Sequence, residues 1–377
     1  MEKAIKHIIL PVIFALVLIS PLINWYTGLI KDIECSENRA LAIRPKFDIN
    51  NPDPFPAQFD SFFNDHFPLR NYSIAKLSEV KSINFGISPL PDKVIIGKGG
   101  WLYMTMNDYK TYMGRDTLSY IDIHKLAREI LRRANFLKTR NCKYYYVLVP
   151  TKFSVYPEYL PAYFSLNKPN TLTDQIKEVF TKVGINVIDL RYELIKAKSD
   201  LIKEGNLYMK SDNHWNGLGG YVAGCAIINR IRQDFPNIAE PLPLDSFNII
   251  RKKSIGGNLA TMLNLQLKFS ETQVKLVCKS RKITIGIKKG YPIPSDFSDE
   301  FETVRQCKEG SKLKILVIRD SFGDAIVPVL STSFQTSVYI FDKWEHGLNQ
   351  EIVGTEKPDI FIQMPIESLA ENIWKEI

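Results

Sequence analysis

The sequence predicts an α/β fold in which a mostly parallel sheet carries helices on both faces. Its 377 residues contain short apolar runs that fit buried strands, at 144–150, 185–190, 313–318, 337–341 and 359–364. Helical patterns precede or separate these runs, at 120–140, 172–184, 217–234 and about 323–333. Continuous apolar runs between helices are typical of parallel strands that are buried on both faces.

The remaining segments surround this core. Residues 58–86 show helical spacing with Pro68 as an interruption, and two short strands at 94–96 and 101–104 flank a glycine turn. Residues 236–312 read as an insertion. In open α/β sheets, ligands bind just past the carboxyl ends of the strands. Residues that follow the predicted strands are therefore the first candidates for a functional site.

The amino terminus is a candidate membrane anchor. From His7 to Ile30 the sequence contains no Asp, Glu, Lys or Arg, and about 20 apolar residues suffice for a helix to cross a bilayer. Trp25 and Tyr26 lie where an interfacial aromatic belt would fall. The alternative is a cleaved signal peptide, although the run is long for one and no small-x-small cleavage site follows it cleanly. We predict an uncleaved anchor that leaves the rest of the chain outside the cytoplasm.

The net charge of +8 is concentrated in one part of the chain. Residues 251–289 hold ten Lys or Arg and a single acid, Glu271. This basic segment is either a solvated surface or a surface that attracts an acidic glycan or anionic headgroups. No nucleic-acid-reading motif accompanies it, so we expect no nucleic-acid partner.

The five cysteines match no zinc-binding spacing. Cys278 and Cys307 could pair in an oxidising compartment, and the sequence leaves that open. The carboxylates and histidines also lack the spacing of metal ligands, and GKGG at 97–100 lacks the rest of a phosphate-binding loop. We therefore expect neither a metal nor a cofactor.

One strand end carries a candidate nucleophile, in the stretch LKILVIRDSFGDAIVPVL (313–330). After the strand, Arg319 and Asp320 make a sharp turn, and Ser321 stands at the start of a helix opened by Gly323. Free N–H groups at a helix amino terminus favour negative charge, which a tetrahedral oxyanion requires. Ser321 is either a nucleophile, with its own N–H as an oxyanion donor, or merely a helix cap.

A candidate base lies in SDNHWN, just before a helix that Asn216 could cap. Asp212 and His214 are two residues apart, so in an extended turn both side chains point the same way. The carboxylate can then orient the imidazole and leave its other nitrogen free to take a proton from serine. A surface turn is the alternative for so short a pattern, and Trp215 fits core packing equally well. Together with Ser321, the pair supplies a nucleophile, a base and an orienting acid.

Six blocks in order resemble the SGNH-hydrolase-like proteins that O-acetylate alginate and other exopolysaccharides. They are FDSFFNDHFPLR, VIIGKGGWLY, VLVPTKFSVYPE, SDNHWN, GGNLATMLNL and VIRDSFGDAIVPVL, and the resemblance covers about residues 55–370. It implies a three-layer α/β/α fold of SGNH-hydrolase type in which Ser321 is acylated and His214 and Asp212 complete the triad. The chain order Asp, His, Ser and the missing Gly-x-Ser-x-Gly elbow distinguish it from the common α/β-hydrolases.

Further side chains are candidates for binding substrate. Lys152 and Tyr156 follow the strand at 144–150, Arg319 and Trp215 adjoin the triad, and Asn258 lies in a block that resembles a family loop near the site. Packing or a surface role is the alternative for each of them. A second oxyanion donor cannot be identified from the sequence.

We therefore predict a cytoplasmic stub and signal-anchor (1–30), a tether (31–54) and a catalytic domain (55–377) with a basic insertion at about 236–312. The expected protein is a serine-dependent O-acetyltransferase on the outer, periplasmic or extracytoplasmic, side of the cytoplasmic membrane, acting on a polysaccharide. The resemblance implies that a membrane-bound O-acyltransferase supplies the acetyl donor. A polysaccharide acetyl esterase with the same triad and a catalytically silent export scaffold are the alternatives.

Overall fold

A computed structural model of the chain describes residues 2–31, 40–162, 164, 170–292, 301–342 and 350–374. The predicted tether at 31–54 is therefore described only in part. The strands are β1 (Val94–Ile96), β2 (Leu102–Met104), β3 (Lys143–Leu148), β4 (Asn186–Asp189), β5 (Phe247–Ile255), β6 (Ser270–Cys278), β7 (Ile283–Ile285), β8 (Glu302–Cys307), β9 (Ser311–Arg319), β10 (Phe334–Phe341) and β11 (Ile360–Met364).

The α-helices alternate with these strands through most of the chain. They are α1 (Glu2–Thr27), α2 (Pro54–His66), α3 (Arg70–Glu79), α4 (Met106–Tyr112), α5 (Tyr120–Lys138), α6 (Lys152–Val155), α7 (Leu172–Lys182), α8 (Arg191–Asp200), α9 (Gly217–Asp234), α10 (Asn258–Met262), α11 (Val327–Leu330) and α12 (Gln350–Glu356). Five of them, α4, α6, α8, α10 and α12, were not predicted from the sequence.

The central sheet has seven strands in the order β4-β3-β11-β9-β10-β8-β7. Neighbouring strands from β4 to β10 pair in parallel, whereas β8 and β7 continue the sheet antiparallel. This topology confirms the predicted mostly parallel sheet. Because β9 lies between β11 and β10, the residue that follows it stands near the middle of the sheet's carboxyl edge.

Both faces of the sheet are buried, which explains the continuous apolar runs. In β3, Tyr145 and Val147 join a core with α8, α9 and α11. Tyr144, Tyr146 and Leu148 point to the other face and join a core with α5, α7 and α12. Alternate side chains of one strand therefore serve two cores, and the three-layer α/β/α prediction is confirmed.

Two predictions for the carboxyl-terminal half need correction. The segment at 236–312 is only partly an insertion: β5 and β6 form a separate hairpin, but β7 and β8 extend the central sheet. The helix expected at about 323–333 is instead a 3₁₀ turn, Ser321–Ala325, followed by the four-residue α11. Pro328 lies in the first turn of α11. It has no N–H to donate, so a helix that began at about 323 would lose a backbone bond here and kink or end.

The amino-terminal helices lie outside the sandwich. Within α1, none of residues Ile9–Thr27 is buried and their mean hydropathy is 2.0, so this helix is long and apolar enough to cross a membrane. A signal sequence at the same place would have the same properties. The helical structure is interrupted between α2 and α3 at 67–69, around Pro68 as predicted. Leu69 lies in the left-handed region at φ 63°.

The cysteine pairing that the sequence left open does not form. Cys278 and Cys307 are both free thiols, as are Cys142 and Cys225. Cys278 ends the separate hairpin, with its Sγ near the hydroxyl of Ser280. Cys307 is buried at the end of β8 against the carbonyl of Thr332. The two thiols thus have different partners, and Cys35 lies outside the described residues.

Candidate active site

The nucleophile elbow, residues 319–324, is built around the buried carboxylate of Asp320. One carboxylate oxygen accepts the N–H of Phe322 at 2.8 Å, and the other accepts the N–H of Ile366, just beyond β11, at 2.9 Å. These bonds fix the turn after β9 to the neighbouring strand and hold Ser321 at the sheet's carboxyl edge. Burial raises the pKa of Asp320 to about 6, against the opposing effect of the two N–H donors.

The elbow offers one backbone donor for an oxyanion. The N–H groups of Phe322 and Gly323 both bond to Asp320. Among the described residues, none accepts a hydrogen bond from the N–H of Ser321. The expected helix dipole is absent, because the elbow opens into a 3₁₀ turn rather than a long helix. A developing oxyanion would therefore rely on this amide and on a further donor.

The structure brings Ser321, His214 and Asp212 into one hydrogen-bonded row. The Nε2 of His214 lies 2.7 Å from the Oγ of Ser321, and its Nδ1 lies 2.7 Å from Oδ1 of Asp212. A carboxylate can only accept, so Nδ1 carries the proton and Nε2 is free to accept from the serine hydroxyl. The backbone N–H of His214 also donates to Asp212 Oδ1 at 3.0 Å, which closes the two-residue turn that the sequence suggested.

The Asp212 carboxylate is held in its charged form. Burial alone would raise its pKa, but the hydrogen bond and charge of His214, with the N–H groups of Asn258 and His214, keep the pKa below the ordinary aspartate value. The group is therefore ionised at neutral pH. An ionised carboxylate at Nδ1 would stabilise the imidazolium if His214 took up a proton.

Residues 209–216, here called the acid–base loop, are anchored by side chains that sequence reasoning missed. Glu271 is buried and accepts both the N–H and the hydroxyl of Ser211, at 2.8 and 2.7 Å. A Cβ at Gly257 would lie 2.5 Å from the Cβ of Asp212, so only glycine allows this approach. Glu271 was the single acid in the basic segment, a signal that could have marked it as structural.

Trp215 connects the two parts of the site. It is 2% exposed, and its Nε1 donates to the carbonyl of Phe322 at 2.8 Å. The ring of Phe322 in turn packs against His214. Asn216 caps α9 as expected, with its side-chain oxygen accepting the N–H of Leu218 at 2.8 Å. The indole of Trp215 therefore connects the turn that carries Ser321 to the loop that carries His214.

A groove of about 610 Å³ opens above the triad. Its lining includes Ser321, His214, Trp215 and Asp324, together with residues 273–277 of β6. Part of the His214 side chain is accessible, at 25% exposure. A substrate can therefore reach the serine hydroxyl from solvent. Within the described ranges, no three His, Cys, Asp or Glu side chains converge to hold a metal ion.

Two of the predicted substrate-binding residues, Lys152 and Tyr156, are buried away from the groove. Lys152 and Tyr156 follow β3 as expected, but they are only 3% and 4% exposed. The hairpin of β1 and β2 covers them: Trp101 stacks on Tyr156 at 4.4 Å, and the carbonyl of Leu102 accepts from Lys152. A substrate therefore cannot reach either side chain in this structure.

Arg319 and Asn258, two further predicted substrate-binding residues, bond to neighbouring residues of the protein. Arg319 is buried under the elbow, where it bonds to the carbonyl of Asp320 and forms an ion pair with Asp324 at 2.6 Å. Asn258 donates its backbone N–H to Asp212 at 2.9 Å, and its side chain exchanges hydrogen bonds with Asn213. Both residues hold the loops that carry the triad.

The fold and the row of Ser, His and Asp define an SGNH-hydrolase-like α/β protein. The family of the SGNH hydrolase-like domain, acetyltransferase AlgX, matches residues 94–288, slightly more than half of the chain. The chain belongs to this family. The matched residues include Asp212 and His214 and end before Ser321.

Individual relatives agree with this assignment. The chain is 27% identical over 221 residues to a probable alginate O-acetylase AlgJ of Pseudomonas syringae pv. tomato, which covers 56% of this chain. The matched part spans only about half of that relative's length, 51%.

Solved structures show the same fold at low identity. The O-acetyltransferase domain of Pseudomonas putida AlgJ superposes with a TM-score of 0.50 at 15% identity, covering 74% of this chain and 92% of that domain. Bacillus cereus PatB1 superposes with a TM-score of 0.52 at 18% identity, covering 74% of this chain and 97% of PatB1.

Proposed function

We propose that this protein is an O-acetyltransferase that moves an acetyl group through a seryl acyl-enzyme onto hydroxyl groups of a polysaccharide. The observation that carries the proposal is the hydrogen-bonded row of Ser321, His214 and Asp212 at the floor of an open groove. Membership of a family of acetyltransferase domains supports transfer as the reaction. The name of the AlgJ relative supports a polysaccharide as the acceptor.

The first half-reaction acylates the serine. The Nε2 of His214 takes the proton of Ser321 as Oγ attacks the acetyl carbonyl carbon of the donor ester. The N–H of Ser321 stabilises the negative charge on the carbonyl oxygen, and Asp212 stabilises the imidazolium. The imidazolium then returns its proton to the leaving oxygen of the donor as the donor C–O bond breaks. The acetyl ester of Ser321 remains.

The second half-reaction uses the same groups in reverse. A sugar hydroxyl in the groove gives its proton to His214 and attacks the acetyl carbon. The C–O bond to Ser321 breaks, and the imidazolium reprotonates the serine oxygen. Water in place of the sugar hydroxyl would give hydrolysis, so the outcome depends on which acceptor occupies the groove.

The amino-terminal helix supports a location at a membrane. With α1 as an anchor, the catalytic domain would lie on the periplasmic or extracytoplasmic side of the cytoplasmic membrane, next to its polysaccharide. The acetyl donor would then come from a membrane-bound O-acyltransferase, since acetyl-coenzyme A stays in the cytoplasm.

The proposal is tested in the producing strain with Ser321→Ala and, as a matched control, Ser199→Ala at an exposed serine of α8. Surface polysaccharide is purified and its ester-linked acetyl content is measured. We expect acetylation to be lost in the Ser321→Ala strain and unchanged in the control. Increased acetylation in the Ser321→Ala strain would mean that the protein is an acetyl esterase.

A fluorophosphonate probe distinguishes an enzyme from a scaffold. It phosphonylates an activated serine without needing either an acetyl donor or a glycan. We expect full-length wild-type protein and Ser199→Ala to label and Ser321→Ala to remain unlabelled. Absence of labelling in folded wild-type protein would favour the catalytically silent scaffold.

A further inference from the structure

We infer that Lys152 is a positioning residue whose ammonium group fixes the main chain of the acid–base loop, so that Asp212 presents its carboxylate to His214. The inference rests on the proposed function, because it assigns a role within that triad. It replaces the substrate-binding role that the sequence suggested, which the burial of Lys152 excludes in this structure.

The ammonium of Lys152 contacts three backbone carbonyl oxygens. It lies 2.8 Å from the oxygen of Leu102 in β2 and 3.1 Å from that of Lys210, and it also contacts the oxygen of Asp212. A lysine ammonium has three N–H donors. Each carbonyl therefore takes one, and the group joins the hairpin of β1 and β2 to the acid–base loop.

The loop needs such an external partner, because residues 210–214 form neither helix nor strand. Two of its carbonyls accept amides from outside the loop: Leu102 donates to Lys210, and Ala260 donates to Ser211. The carbonyl of His214 accepts the N–H of Met209 within the loop. For the carbonyl of Asp212, the structure supplies Lys152. A part-buried carbonyl that lost this partner would turn toward another donor or toward water and take Asp212 with it.

The charge matters as well as the length of the side chain. A neutral amine would offer two N–H donors and point its lone pair at the third carbonyl. Burial lowers the pKa of Lys152 to about 7, while the charges of Asp212, Glu271 and Asp108 favour the ammonium form. The rings of Trp101 and Tyr103 lie 5.6 and 5.7 Å from its nitrogen and add a weak attraction.

A displaced Asp212 would act directly on the imidazole. The ring Nδ1 and the backbone N–H of His214 both bond to the same oxygen of Asp212. Turning that carboxylate would weaken the bond that stabilises the imidazolium and orients Nε2 toward Ser321. A displacement of about 1 Å in a catalytic group can cost about 100-fold in rate.

The test uses full-length protein in detergent and measures the rate of fluorophosphonate labelling of Ser321 as a function of pH. Lys152→Met removes the charge and all three donors. Lys152→Arg keeps the charge but spreads its donors over a planar fork that does not fit three carbonyls around one nitrogen. Arg133→Met is the matched control, because it removes a similarly buried cation that pairs with Glu129 in α5. Thermal unfolding gives the folded fraction of each variant.

If Lys152 positions Asp212, the labelling rate of Lys152→Met should fall about 100-fold. The acid limb of its pH profile, the low-pH range in which the labelling rate falls, should move to lower pH, because a displaced Asp212 stabilises the imidazolium less. Lys152→Arg should move in the same direction, and Arg133→Met should keep the wild-type limb. The inference is overturned if the limb of Lys152→Met moves to higher pH while Lys152→Arg resembles wild type, since the lysine would then act only by its charge. It is equally overturned if the limb stays fixed and rates follow the folded fraction.

Two safeguards keep these results separate from other failures. Should Lys152→Met not fold, Lys152→Gln, which retains two N–H donors and no charge, is measured with the same expectations. A folded wild-type protein that does not label at Ser321 contradicts the proposed function itself. Labelling of wild type with no effect on the acid limb in any Lys152 variant contradicts only the positioning role.

Discussion

The two parts of the site are held in place in different ways. The nucleophile elbow follows a central strand, and the bonds and the ion pair within it join residues at most five positions apart. Its distant partners include Ile366, which donates to Asp320. The acid–base loop has no regular structure, and its partners in β2, α6, α10 and β6 lie far away in the sequence. One half of the site is thus encoded locally, whereas the other depends on the assembled domain.

The largest expected effect tests whether these two halves act as one unit. His214→Ala and Ser321→Ala should each lower turnover of an activated acetyl ester by about 10⁴-fold or more, and the double variant should lose little beyond either. The reason is that the serine is not activated without its base. His124→Ala, at an exposed histidine of α5, is the control. A double variant whose loss equals the product of the single losses would show that the halves contribute independently.

A smaller effect is expected where the acid–base loop meets its distant support. Gly257→Ala is permitted by the backbone, since φ is −76°, but its Cβ would lie 2.6 Å from Oδ2 of Asp212. We expect kcat to fall about 100-fold with a normal unfolding curve. Gly354→Ala in α12 has no neighbour within 4 Å and should leave turnover unchanged. Wild-type turnover by Gly257→Ala would mean that the loop tolerates displacement.

The carboxylate of Asp320 in the elbow should affect how stability depends on pH. The folded pKa of Asp320, about 6, lies above the ordinary aspartate value. The folded state therefore binds this proton more tightly, and the contribution of Asp320 to stability should fall as pH rises from about 4 to about 6. Asp320→Asn cannot ionise, so its unfolding free energy relative to wild type should rise over that range by at most about 3 kcal/mol.

Denaturant unfolding at several pH values measures this difference. Asp200→Asn, at an exposed carboxylate of α8, is the control and should run parallel to wild type. Parallel curves for Asp320→Asn as well would mean that Asp320 is no more costly to ionise in the folded protein than in the unfolded chain.

The smallest effect should come from the bond that joins the two halves. Trp215→Phe keeps most of the packing but removes the N–H donated to the carbonyl of Phe322. A typical intramolecular hydrogen bond contributes about 1 kcal/mol, so we expect roughly a fivefold loss in kcat/KM. Trp101→Phe is the comparison, because it also removes a buried indole N–H, one without a partner among the described side chains. Equal losses in both variants would assign the effect to ring size.

The same contrast explains what the sequence could predict. The strand before Ser321 and the two-residue spacing of Asp212 and His214 are local patterns, and the structure reproduces both. The burial of Lys152 was not predictable, because the residues that cover it come from a hairpin about 50 positions earlier. The structural role of Glu271 was not predictable for the same reason, because its bond to Ser211 spans 60 residues.

The helix after the nucleophile was overpredicted for a simpler cause. Its apolar spacing is helical, but Pro328 interrupts the backbone bonding. Pro328 lies seven residues after Ser321 and is a local signal against a long helix there. The resulting 3₁₀ turn leaves the serine amide, rather than a helix end, as the elbow's donor.

The strand β7 bears on how this protein avoids aggregation. It ends the central sheet among the described strands, and an open edge is a template on which a strand of another molecule can add. It is only three residues long. Ile285 in the strand and Ile287 just after it are exposed, and Lys282 and Lys288 lie on either side. Two copies that met edge to edge would bring these cations together. Lys282 and Lys288 of the basic segment thus oppose pairing of two molecules through the β7 edge. We expect that replacing these two lysines would favour self-association even with the triad intact.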